Sequence, residues 1–142
     1  MGRRCARCRY RSGRFVTVGV TYGTGALIAA ERSDRQVWAV HRRALERGIV
    51  PTVPAGVLGQ GWRGGPQAQL SRLLSGCRVE ELHEARARSA GAACGVAGTS
   101  DVVDASVVVG AAARGDLVVT SDLGDLERLG DGLHVDVRFQ LI

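Results

Sequence analysis

The sequence contains no lysine, so all 19 of its basic residues are arginine, against 14 acidic residues, and the formal net charge is +5. The guanidinium group binds phosphate in a bidentate geometry, and a basic chain attracts polyanions, so this composition suits contact with nucleic acid. A GC-rich coding sequence also produces a chain rich in Arg, Ala, Gly and Val without any such function. Composition alone leaves both explanations open.

Long apolar runs and complete cysteine patterns are also missing. No segment is apolar over the length that a bilayer requires, so we expect no membrane protein. The uncharged run 15–30 follows an arginine-rich segment as in a signal peptide, but three glycines interrupt it, which argues against that assignment. The four cysteines match no disulfide or zinc framework, so we expect a reducing, cytoplasmic location. They are Cys5, Cys8, Cys77 and Cys94.

The length of 142 residues is enough for one hydrophobic core. We expect residues 1–14 to form a basic, disordered tail and residues 15–142 to form one domain. Cys5 and Cys8 make half of a zinc site in this tail. Cysteines of a partner chain would have to complete it.

Hydrophobic periodicity, glycines and prolines predict strands that alternate with helices. The predicted strands are Phe15–Tyr22, Ile49–Val53, Cys77–Leu82, Leu117–Thr120 and His134–Leu141. The predicted helices are Thr24–Glu31, Arg35–Arg47, Ala55–Arg63, Gln67–Leu74, Glu84–Gly95, Asp101–Arg114 and Ser121–Leu129. In the second helix the spacing places an apolar face opposite the arginines: Val37, Val40, His41, Ala44 and Leu45.

This alternation predicts an α/β fold, a three-layer α/β/α sandwich around a mostly parallel central sheet. The last strand alternates like an edge strand, and the wholly apolar Leu117–Thr120 is typical of a buried parallel strand. Ligands of such sheets bind beyond the carboxyl ends of the strands. The residues after Tyr22 and after Thr120 are therefore the first candidates for a site.

Four aspartates lie at such positions. Asp101 and Asp104 are three residues apart on one helical face, while Asp122 and Asp125 follow the strand that ends at Thr120. Clustered carboxylates repel one another, and a hard divalent cation such as Mg²⁺ relieves that repulsion. The same aspartates are equally suited to capping helix N-termini without any metal. The residues alone leave both roles open.

The remaining chemistry-bearing residues carry weaker signals. The three histidines have neither metal-ligand nor catalytic-triad spacing, so we expect ordinary surface or helix positions for them. We expect Cys77 and Cys94 to pack as small apolar residues. The histidines are His41, His83 and His134.

The order of four short motifs resembles the PIN domain, most closely the VapC-like toxins of type II toxin–antitoxin pairs. The resemblance spans nearly all of the chain from Phe15 onward. The motifs are Thr24-Gly25-Ala26-Leu27-Ile28-Ala29, Val53-Pro54-Ala55-Gly56-Val57-Leu58, Thr99-Ser100-Asp101-Val102-Val103-Asp104-Ala105 and Thr120-Ser121-Asp122.

The resemblance implies an endoribonuclease dependent on Mg²⁺ or Mn²⁺, usually dimeric and neutralised by an antitoxin. Asp104 matches the third acidic position of the family and Asp122 the fourth. Asp101 and Asp125 correspond to supporting acids. We therefore expect Asp104, Asp122 and Asp101 to hold the metal, and all four to contribute to catalysis on an RNA substrate.

Two positions depart from the family pattern. Gly23 stands where the family carries its first aspartate, and Gln60 stands where it usually carries glutamate. Glu31, two helical turns after Gly23, is expected to be solvated or in a salt bridge. The alternative function is therefore a catalytically inactive PIN-like module that binds RNA or an antitoxin.

Overall fold

The computed structural model describes residues 18–142, which form five strands and seven helices. The predicted tail 1–14, with Cys5 and Cys8, and the start of the predicted strand Phe15–Tyr22 lie outside the described residues. The strands are β1 Val20–Tyr22, β2 Thr52–Pro54, β3 Arg78–Glu80, β4 Leu117–Thr120 and β5 Arg138–Leu141. The helices are α1 Thr24–Glu31, α2 Arg35–Glu46, α3 Ala55–Gly61, α4 Ala68–Leu74, α5 Glu84–Ala97, α6 Val102–Arg114 and α7 Gly124–Gly132.

The strands form one sheet in the order β3-β2-β1-β4-β5, and every pairing is parallel. Thr21 in β1 lies opposite Thr52 on one side and Val118 on the other. The predicted α/β fold is confirmed, and the predicted edge strand β5 pairs in parallel with β4 like the rest. All strands therefore end at the same edge of the sheet.

The core lies on both faces of this sheet, because its central strands are buried. β1 is buried throughout, and in β4 the residues Val118, Val119 and Thr120 are buried. The helices form two packed groups, α1 with α2 and α4, and α5 with α6 and α7, while α3 contacts both α1 and α6. α6 is buried along much of its Ala- and Val-rich length, as its composition predicts.

Several helix and strand boundaries differ from the predictions, because hydrogen bonds and the exposure of individual side chains outweigh the local sequence pattern. β2 starts later than predicted, since the Ile49 N–H still bonds the Ala44 carbonyl beyond the end of α2 and Val50 is exposed. β5 also starts late. The Val135 N–H bonds the Gly130 carbonyl, and His134 has a positive φ of 56°. His134 and Val135 therefore belong to the turn that follows α7 and not to β5.

Leu45 contradicts the predicted apolar face of α2. Val37, Val40 and Ala44 are buried as expected, but Leu45 is 44% exposed. The buried face of α2 is therefore narrower than helical spacing alone predicted.

A network of ion pairs on the sheet was not predicted from the sequence. Arg114, at the end of α6, bonds Asp116 at 2.8 Å, Glu80 at 2.7 Å and the Thr21 hydroxyl at 2.9 Å. The Thr21 hydroxyl donates in turn to Asp116, and Arg86 also pairs with Glu80. One guanidinium thus connects α6 with β1, β3 and the start of β4.

No single helix within residues 18–142 is long and apolar enough to cross a membrane. Only α5 and α6 taken together, across a bend of 108°, reach the necessary length and composition.

We predict that Arg114→Met lowers the free energy of unfolding by about 3–5 kcal/mol, because it leaves the half-buried Glu80 and buried Asp116 without their shared cation. Urea denaturation measures the change. Arg88→Met is the matched control, since Arg88 forms an exposed pair with Glu84 that is worth at most about 0.5 kcal/mol. Equal losses in the two variants would contradict a structural role for the network.

Candidate functional site

The carboxyl end of β1 is held against β4. The Gly23 N–H donates to the Val119 carbonyl at 2.9 Å, and the chain then enters α1 at Thr24. Gly25 approaches the segment after β4 so closely that a Cβ atom would lie 2.0 Å from Ser121 Oγ and 2.9 Å from its amide nitrogen. Glycine is therefore required at position 25 for the two segments to meet.

α3 reaches the same region from the neighbouring strand. The Thr24 hydroxyl donates to Gln60 Oε1 at 2.5 Å, which places the side chain of Gln60 beside the start of α1. Gly56 packs against Val103 of α6, where a Cβ atom would lie 3.0 Å from Val103 Cγ2. The four motifs that carry the family resemblance thus meet at one end of the sheet.

Asp101 is the N-cap of α6. Its Oδ1 accepts from the Asp104 backbone N–H at 2.9 Å, and its own N–H donates to the Thr99 hydroxyl at 3.2 Å. The capping role that the sequence allowed for Asp101 is confirmed. One of its carboxylate oxygens is therefore already occupied by the helix.

The two aspartates after β4 also have local partners. Asp122 Oδ1 accepts from the Gly124 N–H at 3.1 Å, and the Asp122 N–H donates to the Thr120 hydroxyl at 3.2 Å. This turn delays the start of α7 to Gly124, three residues later than predicted. Asp125, in the first turn of α7, forms an exposed ion pair with Arg128.

Asp104 is the electrostatic centre of the site. The pKa of its carboxyl group is raised from the ordinary 3.8 to about 6. Burial is the largest cause, and the charge and hydrogen bond of Asp101 and the charges of Asp125 and Asp122 add to it. The other three predicted acids therefore lie near enough to act on the carboxyl group of Asp104. Their mutual repulsion is what a bound cation would relieve.

The same acids do not make a complete metal centre. Among residues 18–142, no group of three or more His, Cys, Asp or Glu side chains is arranged to hold a metal ion. Gly23 has no side chain, and Gln60 is neutral and bonded to Thr24. The side chains present do not fit the four-acid centre that the family resemblance implies, because negative charge is missing at these two positions.

Nothing in the packing requires glycine at position 23. Its backbone is extended, with φ −84° and ψ 174°, and a Cβ atom would lie 3.4 Å from Thr120 Oγ1 and 3.5 Å from Thr120 Cβ. These are ordinary contact distances. A Cβ atom can therefore be added at position 23 without moving the strand.

Glu31 does not replace the missing acid. Its Oε1 accepts from the Leu70 N–H at 2.9 Å near the start of α4, a bond that was not predicted, and the residue is partly exposed. The acid instead ties α1 to α4. No pattern in the sequence signals this bond, because its partner is a backbone amide 39 residues away.

The histidines and internal cysteines lie outside this acidic site. His83 caps α5 by accepting from the Arg86 N–H, and His134 is exposed. His41 lies in α2, as expected, and is buried on its apolar face, where its ring bonds the Tyr22 hydroxyl at 2.8 Å. Cys94 is buried as expected, and burial raises the pKa of the half-buried Cys77 thiol to about 12.

Comparison with solved structures finds the same fold elsewhere. The chain is similar to a chain in the crystal structure of VapBC2 from Rickettsia felis bound to a DNA fragment from their promoter, with a TM-score of 0.64. The match covers 87% of this chain and 98% of that chain, at 13% sequence identity. At this identity the likeness establishes the fold alone. No protein-family model and no curated protein sequence matches the chain.

We predict that Gly25→Ala lowers the free energy of unfolding by about 1–3 kcal/mol, although alanine favours helices, because its Cβ would clash with Ser121. Gly23→Ala is the matched control and should change it by about 0.5 kcal/mol or less. Thermal or urea unfolding distinguishes the two. If both variants were equally stable, the close approach of α1 to Ser121 would be wrong.

We predict that Asp104→Asn is more stable than the wild type at pH 7.5 in EDTA and that this advantage disappears near pH 4. The folded state binds the Asp104 proton more tightly than the unfolded state, so wild-type stability falls as the pH rises from about 4 to about 6. Melting temperatures of both proteins across this range provide the test. A wild type that gained stability relative to the variant over this range would contradict the crowding of carboxylates around Asp104.

Proposed function

We propose that this chain is a toxin-type PIN-like module of a toxin–antitoxin pair whose ribonuclease centre is reduced to a partial site. The observation that carries the proposal is the lack of acidic side chains at Gly23 and Gln60, at the end of a sheet that otherwise keeps its aspartates. Such a module binds an antitoxin or RNA but no longer hydrolyses RNA.

The argument for lost hydrolysis is electrostatic. A divalent cation held by carboxylates lowers the pKa of bound water and stabilises charge on a phosphate under attack. Mg²⁺ is a hard ion that is held through negatively charged oxygen ligands. Gly23 supplies no ligand, and the Oε1 of Gln60 already accepts from Thr24. The attraction for a cation is therefore weaker than in a site with four acids.

A second candidate is favoured by the raised pKa of Asp104. Burial and the neighbouring carboxylates together raise this pKa to about 6, and the ionised carboxylates attract a cation at neutral pH. In this candidate the protein is an endoribonuclease dependent on Mg²⁺ or Mn²⁺. Asp104, Asp122 and Asp101 hold the metal, and Asp125 helps to complete the site.

The proposed partners follow from fold and charge. The structural neighbour belongs to a VapBC complex, which supports an antitoxin as the partner of this chain. The net charge of +5, carried entirely by arginine, supports contact with RNA phosphates. We further propose a homodimer in the cytoplasm, as the family resemblance implies.

We predict that Gly23→Asp creates a metal site. Titration calorimetry should detect no Mg²⁺ binding by the wild type at millimolar concentration and clear binding by Gly23→Asp, because a Cβ atom fits at this position and the new carboxylate adds the missing charge at the end of β1. Gly23→Asn is the matched control, with the same shape and no charge. Equal binding by wild type and Gly23→Asp would contradict the importance of this position.

Cleavage of labelled RNA separates the two candidate functions. If hydrolysis is lost in the natural chain, the wild type cleaves RNA no faster with Mg²⁺ than with EDTA. The Gly23→Asp variant should then cleave RNA with Mg²⁺, and adding Asp104→Asn to this variant should abolish the cleavage. Wild-type cleavage that requires Mg²⁺ and disappears in Asp104→Asn and Asp122→Asn would establish the second candidate instead. Wild-type cleavage that persists in both variants would exclude this site altogether.

A further inference from the structure

β3 is an edge strand whose outer side is open. On its inner side it pairs with β2, and within residues 18–142 no strand pairs with its outer side. The residues Arg78 and Val79 are exposed, Val79 by 43%, and Leu82, just beyond the strand, is 40% exposed. This edge is therefore a surface that the proposed function does not yet use.

The backbone of Val79 faces away from β2. The Arg78 N–H donates to the Pro51 carbonyl at 2.8 Å, so it points toward β2. Successive backbone groups of a strand alternate in direction, and the N–H and carbonyl of Val79 therefore point outward. Unpaired backbone groups on an edge strand are a template for pairing with another chain.

The residues on either side of Val79 make β3 complementary to itself. In an antiparallel pair of two copies around a two-fold axis through Val79, positions 78 and 80 lie opposite each other. Arg78 of each copy then faces Glu80 of the other. Moving the axis to Arg78 or to Glu80 would place two like charges opposite each other, which is destabilising. The charges therefore select one register.

Both charged side chains can make this contact. Arg78 donates to the neutral Thr52 hydroxyl at 2.7 Å, and no acidic side chain among the described residues pairs with it. Glu80 accepts from Arg86 and Arg114, but its side chain is still 24% exposed. A carboxylate has about four acceptor positions, so Glu80 can accept from a further guanidinium.

The opposite edge of the sheet lacks this complementarity. β5 contains Arg138 but no acidic residue that could face it in a second copy. Its backbone is otherwise comparable, because the Ile142 N–H donates to the Thr120 carbonyl and the preceding N–H, that of Leu141, therefore points outward. Charge thus favours β3 as the self-pairing edge, and β5 provides matched controls.

We propose that two copies of this chain pair antiparallel through β3, so that their two sheets form one continuous sheet. The N–H and carbonyl of Val79 exchange two hydrogen bonds across the axis, and Arg78 of each copy bonds Glu80 of the other. The inference rests on the homodimer proposed above and names its surface.

Cysteine cross-linking tests the contact directly. In a chain whose four natural cysteines are replaced by alanine, Val79→Cys should form an intermolecular disulfide under mild oxidation. The reason is that residues paired across such an axis have Cα atoms about 5.5 Å apart, within the range of a disulfide. Val96→Cys is the matched control, since Val96 is more exposed, at 65%, but lies on α5. It should cross-link far less on a non-reducing gel.

Two variants of β3 should weaken the dimer for different reasons. Sedimentation equilibrium should show a dissociation constant raised by about tenfold or more for Arg78→Glu, because two attractive pairs become repulsive. Val79→Pro should have a similar effect, because it removes an outward N–H that β2 does not use. Arg138→Glu and Leu141→Pro make the same changes in β5 and should leave the constant within about twofold. Urea denaturation checks that each variant folds.

Three results would overturn the proposal. They are a wild type that stays monomeric at its highest soluble concentration, equal cross-linking of Val79→Cys and Val96→Cys, and equal weakening by the β3 and β5 variants. A monomeric wild type would also remove the homodimer from the proposed function. A dimer that the β3 variants leave intact would refute this surface alone, and the metal and RNA experiments at Gly23 would keep their meaning.

Discussion

The pairing of β1 with β4 is the contact on which the rest of the site depends. Both strands are buried in the middle of a parallel sheet, so they end together, and the Gly23 amide continues their hydrogen bonding by donating to the Val119 carbonyl. Gly25 then allows α1 to start in contact with Ser121. Without this close approach, the motif after β1 and the motif after β4 would not meet.

The aspartates at this edge serve two physical purposes that compete. Asp101 and Asp122 satisfy backbone amides at the starts of α6 and α7, which stabilises the fold. The same charges, with Asp125, crowd Asp104 and oppose its ionisation. Functional sites commonly carry such perturbed carboxyl groups, because structural requirements alone would keep like charges apart. A bound cation would relieve this crowding, and Gly23 leaves the edge without one of the acids that the family resemblance implies.

The molecule therefore offers two chemically different surfaces. The acidic edge is formed by Asp104 and its neighbouring aspartates. A groove between α2 and α4 is lined by His41 and Arg72 and has the opposite charge. Tyr22 connects them through the chain, since its hydroxyl bonds His41 while the next residue is Gly23.

The sequence by itself determined the elements whose signals are local. Thr24 to Glu31 and Leu117 to Thr120 were predicted with the bounds that the structure has, because glycines and polar residues bracket each segment. Their alternation also determined the parallel α/β fold. The aspartates were found in the same way, since they follow strand ends or open helices.

Only the tertiary structure decided the interactions between residues distant in sequence. The bond from Glu31 to the Leu70 amide, the network around Arg114 and the bond of His41 to Tyr22 depend on how helices pack on the sheet. The exposure of Leu45 depends on the same packing, because helical spacing defines a face but not the width of the surface that covers it. Whether four aspartates repel one another or hold a cation is likewise a matter of distances, which neighbouring residues in a sequence do not specify.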